Sequence, residues 1–297
     1  MRILVFIGIC TVLLCSCGRK ARYAETEEEV RRYLNGVDAD VGVAVVAGDG
    51  EMFGVNLSQP FPMLSVMKFP LALAVADVVR EKGGSFDDSV WVSGVQLHPD
   101  TYSPMLRRYG GQEVFRITLG DLLDYSLRLS DNNACDILLD FIGGISVLDA
   151  YLDSLGFGDI CVRWNEDDMH RELSRCYDNV STPAAMALLV DAFDRHFDDT
   201  CSLFIKRIME TCDTGKDRLP GAFVSLRAVI GHKTGTGDTD PETGRLMAVN
   251  DVGYVRLPDG KHYAIAVFIT RSAYSLEETS AVIAKVSDIV RRGLCRR

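Results

Sequence analysis

Ser65-Val66-Met67-Lys68 follows Pro62 and opens a long apolar stretch, Phe69 to Arg80, that reads as a helix. A spacing of three puts Ser65 and Lys68 on one helical face. A serine hydroxyl is a weak nucleophile until a neighbour takes its proton, and a desolvated lysine can do so. The helix N-terminus also favours negative charge developing beside Ser65. Acyl transfer through a serine ester is the chemistry this pair could perform. On its own the spacing is weak, arising by chance about once in a few hundred residues of ordinary composition. Two further triplets change that. Ser130-Asp131-Asn132 lies between two helical segments, and Lys233-Thr234-Gly235 ends a strand before Thr236-Gly237.

Competing signatures fail. The chain has no GxSxG elbow, no GxxxxGK[ST] loop and no HExxH helix, and Asp240 breaks GxGxxG after Gly235 and Gly237. His98, His170, His196, His232 and His262 include no pair one, three or four residues apart, and CxxC is absent. No metal and no organic cofactor is expected.

The order Ser-x-x-Lys, Ser-Asp-Asn, Lys-Thr-Gly resembles the class A serine β-lactamases, within the larger group of penicillin-binding proteins. The resemblance implies a role for each residue. Ser65 would be the acylated nucleophile, with Lys68 its proton acceptor, directly or through water. Ser130, assisted by Lys233, would carry a proton to the leaving lactam nitrogen. Asn132 would hold the substrate's side-chain amide. The N–H groups of Ser65 and Thr236 would form an oxyanion hole, where a lost donor costs ~3 kcal/mol. Lys233, Thr234, Gly235 and Thr236 would line the substrate's carboxylate site. Arg218, in Thr214-Gly215-Lys216-Asp217-Arg218, resembles an arginine that many members add there, and Tyr102 resembles the aromatic at the cleft's entrance.

Glu166, in the loop Arg163 to His170, resembles the base that activates water against the acyl ester. The usual Glu-x-x-Leu-Asn ends here in Met169-His170, so the water-holding Asn is missing and His170 stands in its place. A branch known mainly for cephalosporin hydrolysis shares that ending. Arg163 and Asp178 are expected to pair and close the loop. The implied activity is hydrolysis of penicillins or cephalosporins. The alternatives are a DD-peptidase, which needs no Glu166, and a β-lactam sensor lipoprotein that is acylated without turnover.

The elements that must position these groups run strands, helices, strands. A helix is expected over Glu25 to Leu34, and strands over Val41 to Ala47 and Glu51 to Asn56. Helical periodicity dominates from Leu64 to Phe204, with Thr118 opening a helix to Leu129 and Thr182-Pro183 opening one to His196. Strands return over Ala228 to Lys233, Val249 to Arg256 and His262 to Thr270, and Ser275 caps a last helix through Arg292. This pattern predicts an α/β (α+β) fold. An antiparallel sheet domain, residues 17–60 and 205–297, would be flanked by helices and carry an inserted all-helical domain, residues 61–204. The cleft between the two is a natural small-molecule site.

Composition agrees. The 297 residues are 47% hydrophobic and 25% charged, enough for a sizeable core and not a disordered chain. The formal charge of −10 argues against a nucleic-acid partner. Residues 1–16 read as a signal peptide: Arg2, then an apolar run from Ile3 to Leu14 too short to span a bilayer. Leu14-Cys15-Ser16-Cys17 resembles a bacterial lipobox, which would make Cys17 the lipidated mature N-terminus. An exported, periplasmic, membrane-anchored monomer of a Gram-negative-type bacterium is expected. Export permits disulfides among Cys135, Cys161, Cys176, Cys201, Cys212 and Cys295, but spacing selects none of the 15 pairings, and buried free thiols remain open.

Overall fold

The computed structural model describes residues 22–295. The signal segment and Cys17 lie outside them. Strands β1 (Asp40–Ala47) and β2 (Met52–Val55) join β3 (Val229–Thr236), β4 (Leu246–Arg256) and β5 (His262–Ser272). The five form one antiparallel sheet ordered β2-β1-β5-β4-β3, so β3 is an edge strand. β1 is buried on both faces, as its unbroken apolar run requires. One face packs against α1 (Ala24–Leu34) and the C-terminal helix Leu276–Cys295 through Val43, Val45, Ile265, Val267, Ile283 and Val286. Ser275 and Glu278 close the capping box expected at that helix's start.

The other face merges with the helical region through Ala44, Phe61, Phe193, Ala266 and Phe268, so a single core runs from the sheet into that region. Within it, α2 (Lys68–Glu81) is apolar on nearly every side and buried, and α3 (Asn132–Ile142) packs beside it.

Residues 61–204, expected to be all-helical, are not wholly so. Ser89–Ser93 and Val114–Thr118 pair as a hairpin, and Phe61–Pro62, Ile160–Cys161 and Val180–Ser181 make a small sheet. Each run is too short for its twofold alternation to stand out between helical stretches. The helix opened by Thr118 also departs from expectation. It is α-helical only over Leu119–Leu123 and widens to a π-helix over Asp124–Arg128. Two residues after that widening ends comes Ser130, whose φ is +61°. All six described cysteines are free.

Candidate active site

Ser65 sits in a 3-10 turn, Leu64–Met67, that leads into α2. The residue before it, Leu64, has φ +48°, a left-handed conformation that costs a non-glycine residue ~1–3 kcal/mol. Surrounding bonds hold it there. Asn250, fully buried on β4, donates to the carbonyls of Pro62 (2.8 Å) and Met63 (3.1 Å). Gly235 lets β3 press on the same segment, since a Cβ there would fall 2.5 Å from the Met63 carbonyl oxygen.

The side chain of Lys68 is fully buried, and its Nζ lies 2.8 Å from Ser65 Oγ, 2.9 Å from the Ser130 carbonyl and 2.6 Å from Asn132 Oδ1. Its fourth neighbour is Glu166, whose Oε1 is 2.8 Å from the amine and 3.4 Å from Ser65 Oγ. Nucleophile, amine and carboxylate thus converge on one point. A buried amine surrounded by one carboxylate and three neutral acceptors has its hydrogen-bonding capacity met.

Lys233 projects from β3 to the other side of Ser130. Its Nζ donates to Ser130 Oγ and to the Thr234 carbonyl, each at 2.9 Å. Burial, reinforced by the charge of Lys68, pulls its pKa down to about 7. Asp131 fixes the Ser130 turn: it caps α3 through the Ala134 N–H (2.9 Å) and accepts from Ser103 Oγ (2.9 Å) and the Met105 N–H (2.7 Å). Asn132 is engaged at both ends, its amide nitrogen donating to Thr101 Oγ1 at 2.8 Å. Along edge strand β3, Gly237 donates its N–H to Ala248. By alternation the Thr236 N–H therefore faces away from β4 and is left free at the sheet's edge.

The loop carrying Glu166 is held from both ends. Asp136 on α3 accepts the N–H groups of Glu166 (2.9 Å) and Asp167 (3.0 Å), and its pKa is pushed up to about 7 by burial and by the Glu166 charge. Buried Asn179 accepts from the N–H groups of Arg163 (2.7 Å) and Trp164 (3.0 Å) and donates to the Trp164 carbonyl (2.7 Å). That clamp corrects the expected Arg163–Asp178 pair. With its backbone so held, Arg163 turns outward to Asp149 (2.6 Å), and Asp178 instead accepts from the Trp164 indole (2.8 Å). Arg175 stacks on that indole and pairs with Asp168 at 3.0 Å.

These groups surround a cleft of about 370 Å³ lined by Ser65, Ser130, Asn132, Glu166, Thr234 and Thr236. Tyr102, 60% exposed, stands at its edge, and His170 lines it from the loop. Lys233 and Gly235 stand behind the lining, and so does Arg218. The Arg218 guanidinium is buried under β3, donating to the carbonyls of Gly235 (3.0 Å) and Asn250 (2.9 Å) and to Thr236 Oγ1 (2.7 Å). It reaches the cleft only through Thr236. Asn250, Asn179 and Asp136 escaped the sequence reading. The one available signal was the polar pair Asn250-Asp251 interrupting an apolar strand. Among the described residues no cluster of three His, Cys, Asp or Glu side chains is placed to hold a metal ion.

Comparison with known proteins gives a consistent result. The model of the β-lactamase enzyme family matches residues 25–294. A β-lactamase of Bacteroides uniformis is 38% identical over 96% of this chain and 97% of its own. The β-lactamase VEB-1 of Pseudomonas aeruginosa is 33% identical over 88% of this chain and 87% of its own. The crystal structure of a class A β-lactamase from Bacteroides cellulosilyticus superposes with a TM-score of 0.88 at 36% identity, covering 94% of this chain and all of that one.

Proposed function

The chain belongs to the class A serine β-lactamases and hydrolyses β-lactams, and from that premise we propose how its cleft opens the ring. Ser65 Oγ attacks the lactam carbonyl, forming the ester as the C–N bond breaks. The hydroxyl proton passes to Lys68, and Ser130, held by Lys233, delivers a proton to the departing nitrogen. The N–H groups of Ser65 and Thr236 receive the oxyanion. Lys233, Thr234 and Thr236 hold the substrate's carboxylate, with Arg218 steadying Thr236 from behind. Asn132 holds the side-chain amide, and Tyr102 borders the entrance.

Deacylation is assigned to Glu166, which takes a proton from water as the water oxygen attacks the ester and Ser65 leaves. His170, at the place of the missing Asn, borders that water. One observation carries this reading: Lys68 Nζ lies 2.8 Å from both Ser65 Oγ and Glu166 Oε1. A peptidase or sensor has no use for a carboxylate buried at that point. Residues 1–16 would direct export, with Cys17 lipidated and the enzyme acting as a monomer at the periplasmic face. No described helix is long and apolar enough to cross a membrane.

The test is Ser65→Ala. Intact-mass measurement after mixing with a penicillin, beside a chromogenic cephalosporin assay, should show neither adduct nor turnover in a folded protein. A mutant still gaining the drug's mass would exclude Ser65 as nucleophile.

A further inference from the structure

Behind β3 lies a charged cluster that the mechanism above does not use. Asp251 of β4 is fully buried and takes the Nδ1 of His232 at 2.9 Å, and it also accepts the Leu219 N–H at 3.0 Å. His232, 3% exposed, acts electrostatically on the thiol of Cys212, 5% exposed, each favouring the other's charged form. Cys212 Sγ in turn lies 3.3 Å from Thr214 Oγ1, and Thr214 Oγ1 lies 2.6 Å from Thr234 Oγ1, on the cleft wall. A line of polar contacts therefore runs from the Cys212 thiol to the hydroxyl assigned to the substrate anion, with the His232–Asp251 pair behind the thiol.

We propose that Cys212 is a positioning residue for substrate binding, its protonation setting through Thr214 which way the Thr234 hydroxyl points. The inference rests on the reading of Thr234 as a carboxylate ligand. Each threonine has one hydroxyl proton, so the chain has a direction. A thiolate at Cys212 is a strong acceptor and draws the proton of Thr214 toward itself. Thr214 oxygen then accepts from Thr234, whose proton turns inward and leaves a lone pair facing the cleft. A neutral thiol is a weak acceptor. Thr214 can then donate to Thr234 and free the Thr234 proton for an anion. The thiolate and the substrate thus compete for one proton.

The surroundings favour the thiolate. Burial opposes it, but His232 and Lys233 outweigh burial and bring the thiol down to about 7, while Asp251 and Cys212 raise His232 to about 10. Other charged groups on the packed elements are engaged elsewhere. Arg128 pairs with Asp124 and Asp213, Lys216 with Asp213, and Glu210 with Tyr254 and Arg256, while Arg218 holds β3. The carbonyls of Leu127 and Arg128 approach Sγ only at 3.9 Å.

The experiment measures KM and kcat for a β-lactam in the parent and in Cys212→Ser, one pH unit below and one above the thiol's midpoint at about 7. The variant-to-parent KM ratio should be near one below the midpoint and about one-tenth above it, the size of one charge-assisted hydrogen bond, with kcat little changed. Lys233 also titrates near 7, and the Cys212 charge raises it, so the variant's effect through Lys233 runs opposite to its effect through the relay. If Cys212 acted only by its charge on Lys233, its loss would lower the lysine's pKa further and drive the ratio above one. On a Thr214→Val background the ratio should stay at one, because the relay is cut. A ratio of one at both pH values, a ratio above one, or an effect that survives Thr214→Val overturns the inference. Thermal melting checks folding, and Cys212→Ala supplies the same ratio should the serine variant not fold. Thr234→Val separates the two claims. If it leaves KM unchanged, the carboxylate reading fails. If it raises KM while the Cys212 ratio stays at one, only the relay fails.

Discussion

Replacing Glu166 with Gln separates the two halves of the proposed reaction. The change keeps the side chain's size and removes its charge and its capacity to accept a proton. The loop should hold, because Asp136 and Asn179 grip it through backbone groups the substitution does not touch. Breaking a buried ion pair costs ~3–5 kcal/mol when the remaining charge is stranded. Here Lys68 keeps Ser65 Oγ, the Ser130 carbonyl and Asn132 Oδ1, so the loss should fall below that range. Acylation needs a base 2.8 Å from Ser65 Oγ, and Lys68 still supplies it. Deacylation needs a base for water, and the remaining amide is none. Hydrolysis should drop by ~10²–10⁴, or about 3–5.5 kcal/mol of barrier. Intact-mass spectrometry should then find a long-lived adduct on Ser65, while the parent shows turnover and little adduct. Unchanged turnover would refute the assignment and turn attention to His170 or Asp167. A parent that itself holds a lasting adduct would favour the sensor or peptidase reading.

Arg218→Ala should raise KM about tenfold with a smaller change in kcat, because Thr236 loses a charge-assisted partner at 2.7 Å. The orphaned carbonyls of Gly235 and Asn250 should also lower Tm by a few degrees, at ~2–4 °C per kcal/mol for a chain of this size. Arg218→Lys should recover little, since one ammonium cannot span two carbonyls and a hydroxyl as a planar guanidinium does; an unchanged KM in the alanine variant would remove Arg218 from the substrate site. Cys17→Ser should abolish fatty-acid labelling in cells, and labelling that persists would refute the lipid anchor.

The residues to which the proposed mechanism gives chemistry were legible because that chemistry restricts their type. A serine with a lysine three residues on, a Ser-Asp-Asn turn and a Lys-Thr-Gly strand end are short and local, and each needs particular atoms. The residues that hold them in place were not legible. Asn250 restrains Met63 across 187 positions, and Asn179 clamps Arg163 and Trp164 by backbone N–H groups. Any side chain with a carbonyl in the right place could do as much, so type and spacing carry little signal. The Arg163–Asp178 pairing failed for the same reason. Opposite charges in one loop suggest a bond, but the backbone clamp decides which way each side chain turns.

The two buried lysines show why position outranks residue type in this cleft. Lys68 and Lys233 have the same side chain, both fully buried, and both approach Ser130, yet their surroundings divide the work. Lys68 faces a carboxylate 2.8 Å away and can exchange its proton with the nucleophile. Among the described residues Lys233 meets no carboxylate at bonding distance, only a hydroxyl and a carbonyl, and it feels the repulsion of Lys68. Burial and that repulsion bring it to about 7. Near neutrality it therefore moves between a cation, which can hold an anion and pass a proton to Ser130, and a neutral amine, which can do neither. An anionic substrate arriving beside it favours the charged form. In the proposed mechanism, binding of the carboxylate would recharge Lys233 just when Ser130 must become a proton donor, coupling substrate recognition to the breaking of the lactam bond.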